Sequence, residues 1–361
     1  MMTEGSVPRR RRVRRLHLVR RTAALLAASG LALLPSVQPA AAEGSRTEFT
    51  IGDPRITESS GLAASRAHPG VYWTHNDSDD GPYVYAVDST GRTVATVTLR
   101  GIKPRDVEAI SLGPDGALYL GDIGDNLDGS WSEVWIYRFA EPAELRDQTV
   151  DATRYRVRYE DGPRNAEALM IHPGTGRAYI ASKNERTGGL YQGPEKLSAT
   201  GVNTFRRIAD VPWVTDGAFS PDGTRLLLRG YFFAEEYRWK DGGAAPQRLG
   251  SVELPFQRQG ESVTFAPDGR SVLYGTEGKN STVTRVPLSG DKLPDSAATA
   301  TPTTPAPTAS GPASPGAAPA GGATAPGQGT GSRSTGILIA VGAVALLAAV
   351  FRRRSRSRGD S

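Results

Sequence analysis

Between residues 46 and 288 apolar and polar positions alternate in short runs, and clusters of Gly, Pro and Asp break the runs. That period of two, with many β-branched and aromatic residues, predicts strands. The runs recur in a fixed order. ESSGLAASRAHPGVYWTHND begins at Glu58, EAISLGPDGALYLGDIGDN at Glu108 and EALMIHPGTGRAYIASKNE at Glu167; DGAFSPDGTRLLLRGY begins at Asp216 and ESVTFAPDGRSVLYGTEG at Glu261. Each repeat has an acidic residue, an apolar run, a turn and a second apolar run. Pro114-Asp115-Gly116, Pro221-Asp222-Gly223 and Pro267-Asp268-Gly269 predict hairpin turns, because Pro presets φ and Gly accepts positive φ. Third strands are predicted at 83–87, 134–139, 189–192, 235–239 and 282–287. Fourth strands are predicted at 93–99, 153–159, 205–211 and 247–254. The last repeat has no fourth strand, and residues 48–51 form a strand candidate with no partner of its own.

Repeat starts spaced by roughly 45 to 60 residues suit blade-like units. The expected fold is all-β, a five-bladed β-propeller with a six-bladed ring as the alternative. The N-terminal strand would close the last blade and protect its edge.

Only residues 43–295 can bury a core. Before them, an Arg-rich run from Arg9 to Arg21 precedes an apolar stretch over 23–37 and Ala40-Ala41-Ala42. This order predicts a secretory signal peptide over 1–42. Residues 296–334 are almost entirely Ala, Thr, Pro, Gly and Ser, a composition that builds no core and predicts a disordered stalk. Residues 335–351 are apolar and are followed by a basic tail, 352–361. They predict one C-terminal transmembrane helix with a cytoplasmic tail and an extracellular propeller. The expected localisation is the cell membrane, single-pass, with the protein a monomer.

Charge changes the picture in one respect. The chain carries 43 Lys and Arg against 38 Asp and Glu, a net of +5. The two ends hold most of the excess arginine, so the middle is acidic. That excludes a nucleic-acid partner, which would need a basic surface. The chain has no cysteine, which excludes disulfides and thiolate metal sites.

TFAPDGRSVLYG and AFSPDGTRLLL resemble blades of bacterial TolB-like and WD40-like β-propellers. ESSGLAAS and THNDSDDG resemble openings in secreted phytase-like and lactonase-like propellers, and the termini resemble an actinobacterial cell-surface protein. The resemblance covers about residues 48–288. It departs from true WD40 repeats, since no third strand ends in Trp-Asp. It implies a fold and does not select an activity.

Candidate chemistry centres on the repeated acids. Glu58, Glu108, Glu167, Asp216 and Glu261 precede the innermost strands, whose starts converge on one mouth of a propeller channel. Like charges there would repel, and Ca²⁺ would relieve them as a hard cation with oxygen ligands. The lactonase-like resemblance also implies a divalent metal there. The structural alternative is that each acid caps backbone N–H groups or pairs with Arg; Arg105 and Arg164 stand three residues before Glu108 and Glu167. Asn76, Asp77, Asp79 and Asp80, and Asp122, Asp125, Asn126 and Asp128, form polar loops that suit either ligand binding or turn capping. Asp106 is a further channel-side candidate, and Lys183 a contact for an anionic group. His75 is the candidate general base. Trp73, Trp131, Trp135, Trp213, Tyr231, Phe232 and Phe233 would stack on a sugar if exposed or fill interblade cores if buried. Two functions follow. The first is a ligand- or protein-binding module for an extracellular ligand or envelope protein. The second is a Ca²⁺-dependent hydrolase of lactones, phosphate esters or similar small esters.

Overall fold

The computed structural model describes residues 44–299, except 78–79, 128, 185 and 241–244. The predicted signal peptide, transmembrane helix, tail and nearly all of the stalk lie outside the described residues. Among the described residues no helix is long and apolar enough to cross a membrane.

The described chain is all-β and propeller-like. β1 (Arg46–Thr50) comes first. The first repeat supplies β2 (Ser59–Ala64), β3 (Val71–Asn76), β4 (Tyr83–Asp88) and β5 (Thr93–Leu99). The second supplies β6 (Val107–Leu112), β7 (Ala117–Asp122), β8 (Val134–Ala140), a short β9 (Gln148–Val150) and β10 (Thr153–Tyr159). The third supplies β11 (Ala166–Ile171), β12 (Ala178–Ser182), β13 (Gly188–Gln192) and β14 (Val202–Val211). The fourth supplies β15 (Asp216–Phe219), β16 (Arg225–Arg229), β17 (Ala234–Arg238) and β18 (Gln247–Ser251); the fifth supplies β19 (Gly260–Phe265), β20 (Ser271–Thr276) and β21 (Thr282–Pro287).

Within each repeat consecutive strands pair antiparallel, except that β9 is skipped and β8 pairs with β10. The turn glycines Gly116, Gly223 and Gly269 take φ of 69°, 73° and 67°, a region that favours glycine over any residue with a Cβ. β1 pairs antiparallel with β21, and the Arg285 guanidinium grips the Glu48 carboxylate at 2.8 Å. Chain start and last repeat therefore share one sheet.

Two pairings were not foreseen. β9 adds in parallel to β5, and β10 pairs in parallel with β14, which fuses the second and third repeats into one eight-stranded sheet. Both occur at outer edges, where unpaired backbone groups otherwise face solvent.

The innermost strands are neighbours in order: β2 lies against β6, β6 against β11, β11 against β15, β15 against β19 and β19 against β2. Core clusters fill the spaces between adjacent repeats. Trp73 and Val97 pack with Leu118 and Phe139 between the first two, and Ile136 packs with Leu169 and Tyr191 between the second and third. Full burial of such side chains contributes about 1.5–3 kcal/mol each. After β21 the chain makes a 3-10 turn (Gly290–Lys292) and α1 (Asp295–Thr299), which sit on the hairpin turns of the fourth and fifth repeats. Ser296 N–H donates to Asp222, and Arg270 donates to the Ala297 carbonyl.

Candidate functional site

Each innermost strand starts at one face and ends at its hairpin turn on the other. The backbone bonds that close the hairpins, Ser65 N–H to Val71, Gly113 to Ala117, His172 to Arg177, Ser220 to Arg225 and Ala266 to Ser271, set the register between repeats. Counting back from them places Ser60, Glu108, Glu167, Thr215 and Glu261 at one equivalent position. The sequence alignment of five acids therefore shifts at two places. Glu58 lies two residues before this ring, and Asp216 lies one residue after it.

β-Bulges explain the placement. Register shifts fall between Val107 and Ala109, between Ala166 and Ala168, and between Gly260 and Val263. Glu108, Glu167 and Glu261 lie at these irregularities, where an extra residue re-aims a side chain. The two hydroxyls in the ring bridge to the next repeat. Ser60 donates to Glu108, and Thr215 donates to the Glu261 carbonyl at 3.1 Å.

Above the ring stand Asp77, Asp106 and Lys183. Lys183 Nζ is 2.9 Å from Glu167 Oε1, which also accepts from Asn165 Nδ2 at 3.4 Å. Asp106 accepts from Asn126 Nδ2 at 3.0 Å. Gly124 packs so closely that a Cβ there would meet Asp106 Oδ2 at 2.5 Å and Glu108 Oε1 at 2.7 Å. Asp77 Oδ1 is buried and has no hydrogen-bond partner among the described residues. The Glu261 side chain is 5% exposed, and no hydrogen bond to it occurs among the described residues.

Electrostatics follow from burial and crowding. Burial pushes Glu108 well above the usual carboxylate range, and Glu167, Asp106 and Asp77 push it further. Burial and Glu167 raise Asp106 to about 7. Burial raises Glu261 to about 8 against the opposing charge of Lys183. Burial also raises Glu167, with Lys183 opposing it. Lys183 itself is held charged: burial works against its ammonium, but Glu167, Tyr231, Glu261 and Glu108 overcome that.

The remaining predicted residues have other duties. Asp216 Oδ1 accepts Gly217 N–H and Oδ2 accepts Val263 N–H, both at 2.7 Å, so it staples the fourth repeat to the fifth. Asn76 Oδ1 accepts the N–H groups of Thr57 and Glu58, and Asp122 accepts those of Arg105 and Asp106. They are equivalent caps in successive repeats. Asp80 accepts from Asn76 and from the Tyr85 hydroxyl, while Asp125 accepts from Ser130 and Trp131 N–H. Asp79 and Asp128 lie outside the described residues. His75 is buried on β3; burial lowers it to about 4, and its Nδ1 lies 3.0 Å from the Asn76 carbonyl oxygen. Arg105 does not pair with Glu108. It lies 3.7 Å from Asp122, sandwiched between Trp131 and Trp135. Arg164 pairs with Asp161 instead of Glu167.

The five acids first grouped as metal ligands do not fit one shared ion. Asp216 gives both oxygens to backbone, Glu167 is tied to Lys183, and Glu58 is out of register with the others. Among the described residues no three His, Asp or Glu side chains are arranged to hold a metal. Arg229 was missed by sequence reasoning. It is fully buried behind Glu261 and donates to the carbonyls of Ser262 and Gly275. Only its place in LLLRGY, an Arg ending an apolar strand, hinted at this.

Aromatic fates divide as burial dictates. Trp73 is in the core between the first and second repeats, Phe233 packs against the core between the third and fourth, and Trp213 meets Tyr231 edge-on. Phe232 remains 72% exposed. Phe256 at 95% and Leu127 at 62% are exposed as well. All three lie in connections on the acidic face. Chain entry through β1 and chain exit through α1 lie toward the opposite, hairpin-turn face.

No family model matches the chain, and no curated protein matches it. The solved structure described as "Structure of U3-55K" is similar at a TM-score of 0.38 and 8% identity, over 68% of this chain and 98% of that one. Similarity at that level assigns neither fold nor function.

Proposed function

We propose that this chain is a membrane-anchored, five-bladed extracellular propeller that acts as a binding module. Its site is the acidic mouth, and the group it takes is a cationic side chain of an envelope protein or other extracellular partner. One observation carries the reading: Asp77, Asp106, Glu108, Glu167 and Glu261 crowd a mouth supplied with Lys183 and the buried Arg229. Burial holds Glu108 and Glu261 toward their neutral forms for want of positive charge, and an incoming ammonium or guanidinium would fill that deficit. Exposed Phe232, Phe256 and Leu127 on the same face offer apolar contact around it. The ring order of the innermost strands supports five blades. Entry and exit of the chain on the far face would turn the mouth away from a membrane reached through residues 335–351.

The test is calorimetric titration of the full-length chain with a short oligolysine peptide and an oligoglutamate peptide. Saturable binding of the cationic peptide, weakened in Glu261→Gln and Glu108→Gln, is the expected result. Equal binding of both peptides, or affinity untouched by both substitutions, sinks the reading. A parallel Ca²⁺ titration followed by thermal unfolding tests the hydrolase alternative, which requires a metal-dependent rise in melting temperature.

A further inference from the structure

The other end of the same channel is a cavity of about 130 Å³, walled by residues from all five innermost strands. Its walls include Leu62, Leu112, Ile171, Phe219 and Val263. A cavity of about 150 Å³ with such walls is large enough for benzene. Two polar groups border it. The Ser111 hydroxyl accepts Ile171 N–H at 3.0 Å, and its own proton has no acceptor among the described residues. Arg66 is exposed and donates to the Gly113 carbonyl, yet among the described residues no carboxylate pairs with it. An apolar chamber with a few placed donors is the composition of a small-molecule site.

We infer that the hairpin-turn end of the channel is a second binding site, for a small monocarboxylate with an apolar body about the size of a phenyl ring. The ring would occupy the space between the strand ends. The carboxylate would meet Arg66, whose planar fork matches its two oxygens, and the Ser111 hydroxyl. Charge and shape both differ from those of the acidic mouth. This site stands whether or not that mouth takes a cation.

Benzoate is the probe, titrated into the full-length chain by calorimetry, with benzylamine as the control of opposite charge. Benzoate should saturate one site and benzylamine should not compete for it. Arg66→Gln should weaken benzoate about tenfold, the value of a charge-assisted hydrogen bond. Ala218→Leu should abolish binding by filling the chamber. Thermal unfolding of both variants shows that they remain folded; Arg66 is exposed, so its replacement leaves the core alone. Absence of saturable benzoate binding overturns the inference. So does benzylamine binding equally well, or wild-type affinity in Arg66→Gln.

Discussion

The two ends of the channel are made by the same strands and are chemical opposites. At the starts of β6, β11 and β19, irregular pairing turns Glu108, Glu167 and Glu261 toward one another. At the ends of the same strands, regular pairing presents Leu112, Ile171 and Phe265 to the cavity. A few residues of strand separate a charge-rich mouth from an apolar one. The difference teaches where this fold holds tension. The turn end is closed by five hairpins, three of them Pro-Asp-Gly. The mouth holds several carboxyls that burial keeps from ionising, and its stability must therefore respond to pH.

The largest effect should separate acids that build the mouth from acids that furnish it. Asp216→Ala leaves the N–H groups of Gly217 and Val263 without acceptors in a buried place. Each orphaned donor costs about 1–3 kcal/mol, so a loss of about 4 kcal/mol is expected in chemical denaturation read by tryptophan fluorescence. A loss under about 1 kcal/mol would show that Asp216 is not a staple. Lys183→Met should come next. It removes the ion pair that holds Glu167, at a cost of about 3 kcal/mol at pH 8. At pH 6 the loss should shrink, because Asp106, raised to about 7, and Glu261, raised to about 8, are then mostly protonated and need the ammonium less. An equal loss at both pH values would detach Lys183 from the carboxyl cluster.

The third effect has the opposite sign. Burial raises Glu261 to about 8 from its ordinary value of 4.5. Between those values the folded chain holds a proton that the unfolded chain has released, so stability falls as pH rises through the window. Glu261→Gln holds no such proton and should flatten the profile. It should be more stable than the parent at pH 8, with little difference at pH 4. Parallel profiles for the two proteins would remove the titrating mouth from the comparison.

How far these residues were legible in the chain depends on which interaction set them. Hairpins were legible because their signals are local: Pro-Asp-Gly turns and alternating apolar residues define β6–β7, β15–β16 and β19–β20. The partner of residues 48–51 was legible because the last repeat lacked a strand. β9 was not, since Gln148–Val150 has no apolar period and gains its strand form by adding to β5. The acids were found, but their alignment was wrong at Glu58 and Asp216. A bulge inserts one residue into a strand without changing the hydrophobic pattern, so sequence repeats alone cannot show which acid faces the channel. Arg105 was placed beside Glu108 by spacing, whereas the faces of Trp131 and Trp135 claim it.

The smallest effect belongs to the turn end. Asp295 on α1 reaches Arg225 at 2.9 Å and Arg238 at 3.2 Å, and its side chain is 56% exposed. Solvent screens such pairs, and Arg225 keeps hydrogen bonds to the carbonyls of Thr224 and Asp291 when the carboxylate is neutralised. Asp295→Asn should therefore cost about 0.5–1 kcal/mol. Its profile between pH 6 and 8 should run parallel to the parent, since the pair sits at the turn end, away from the carboxyls of the mouth. The mouth variants should change the slope there, and this one should only lower the curve. A change of slope from Asp295→Asn would mean that charge at the turn end is linked through the strands to the carboxyls at the mouth, and the two ends would then have to be treated as one titrating unit.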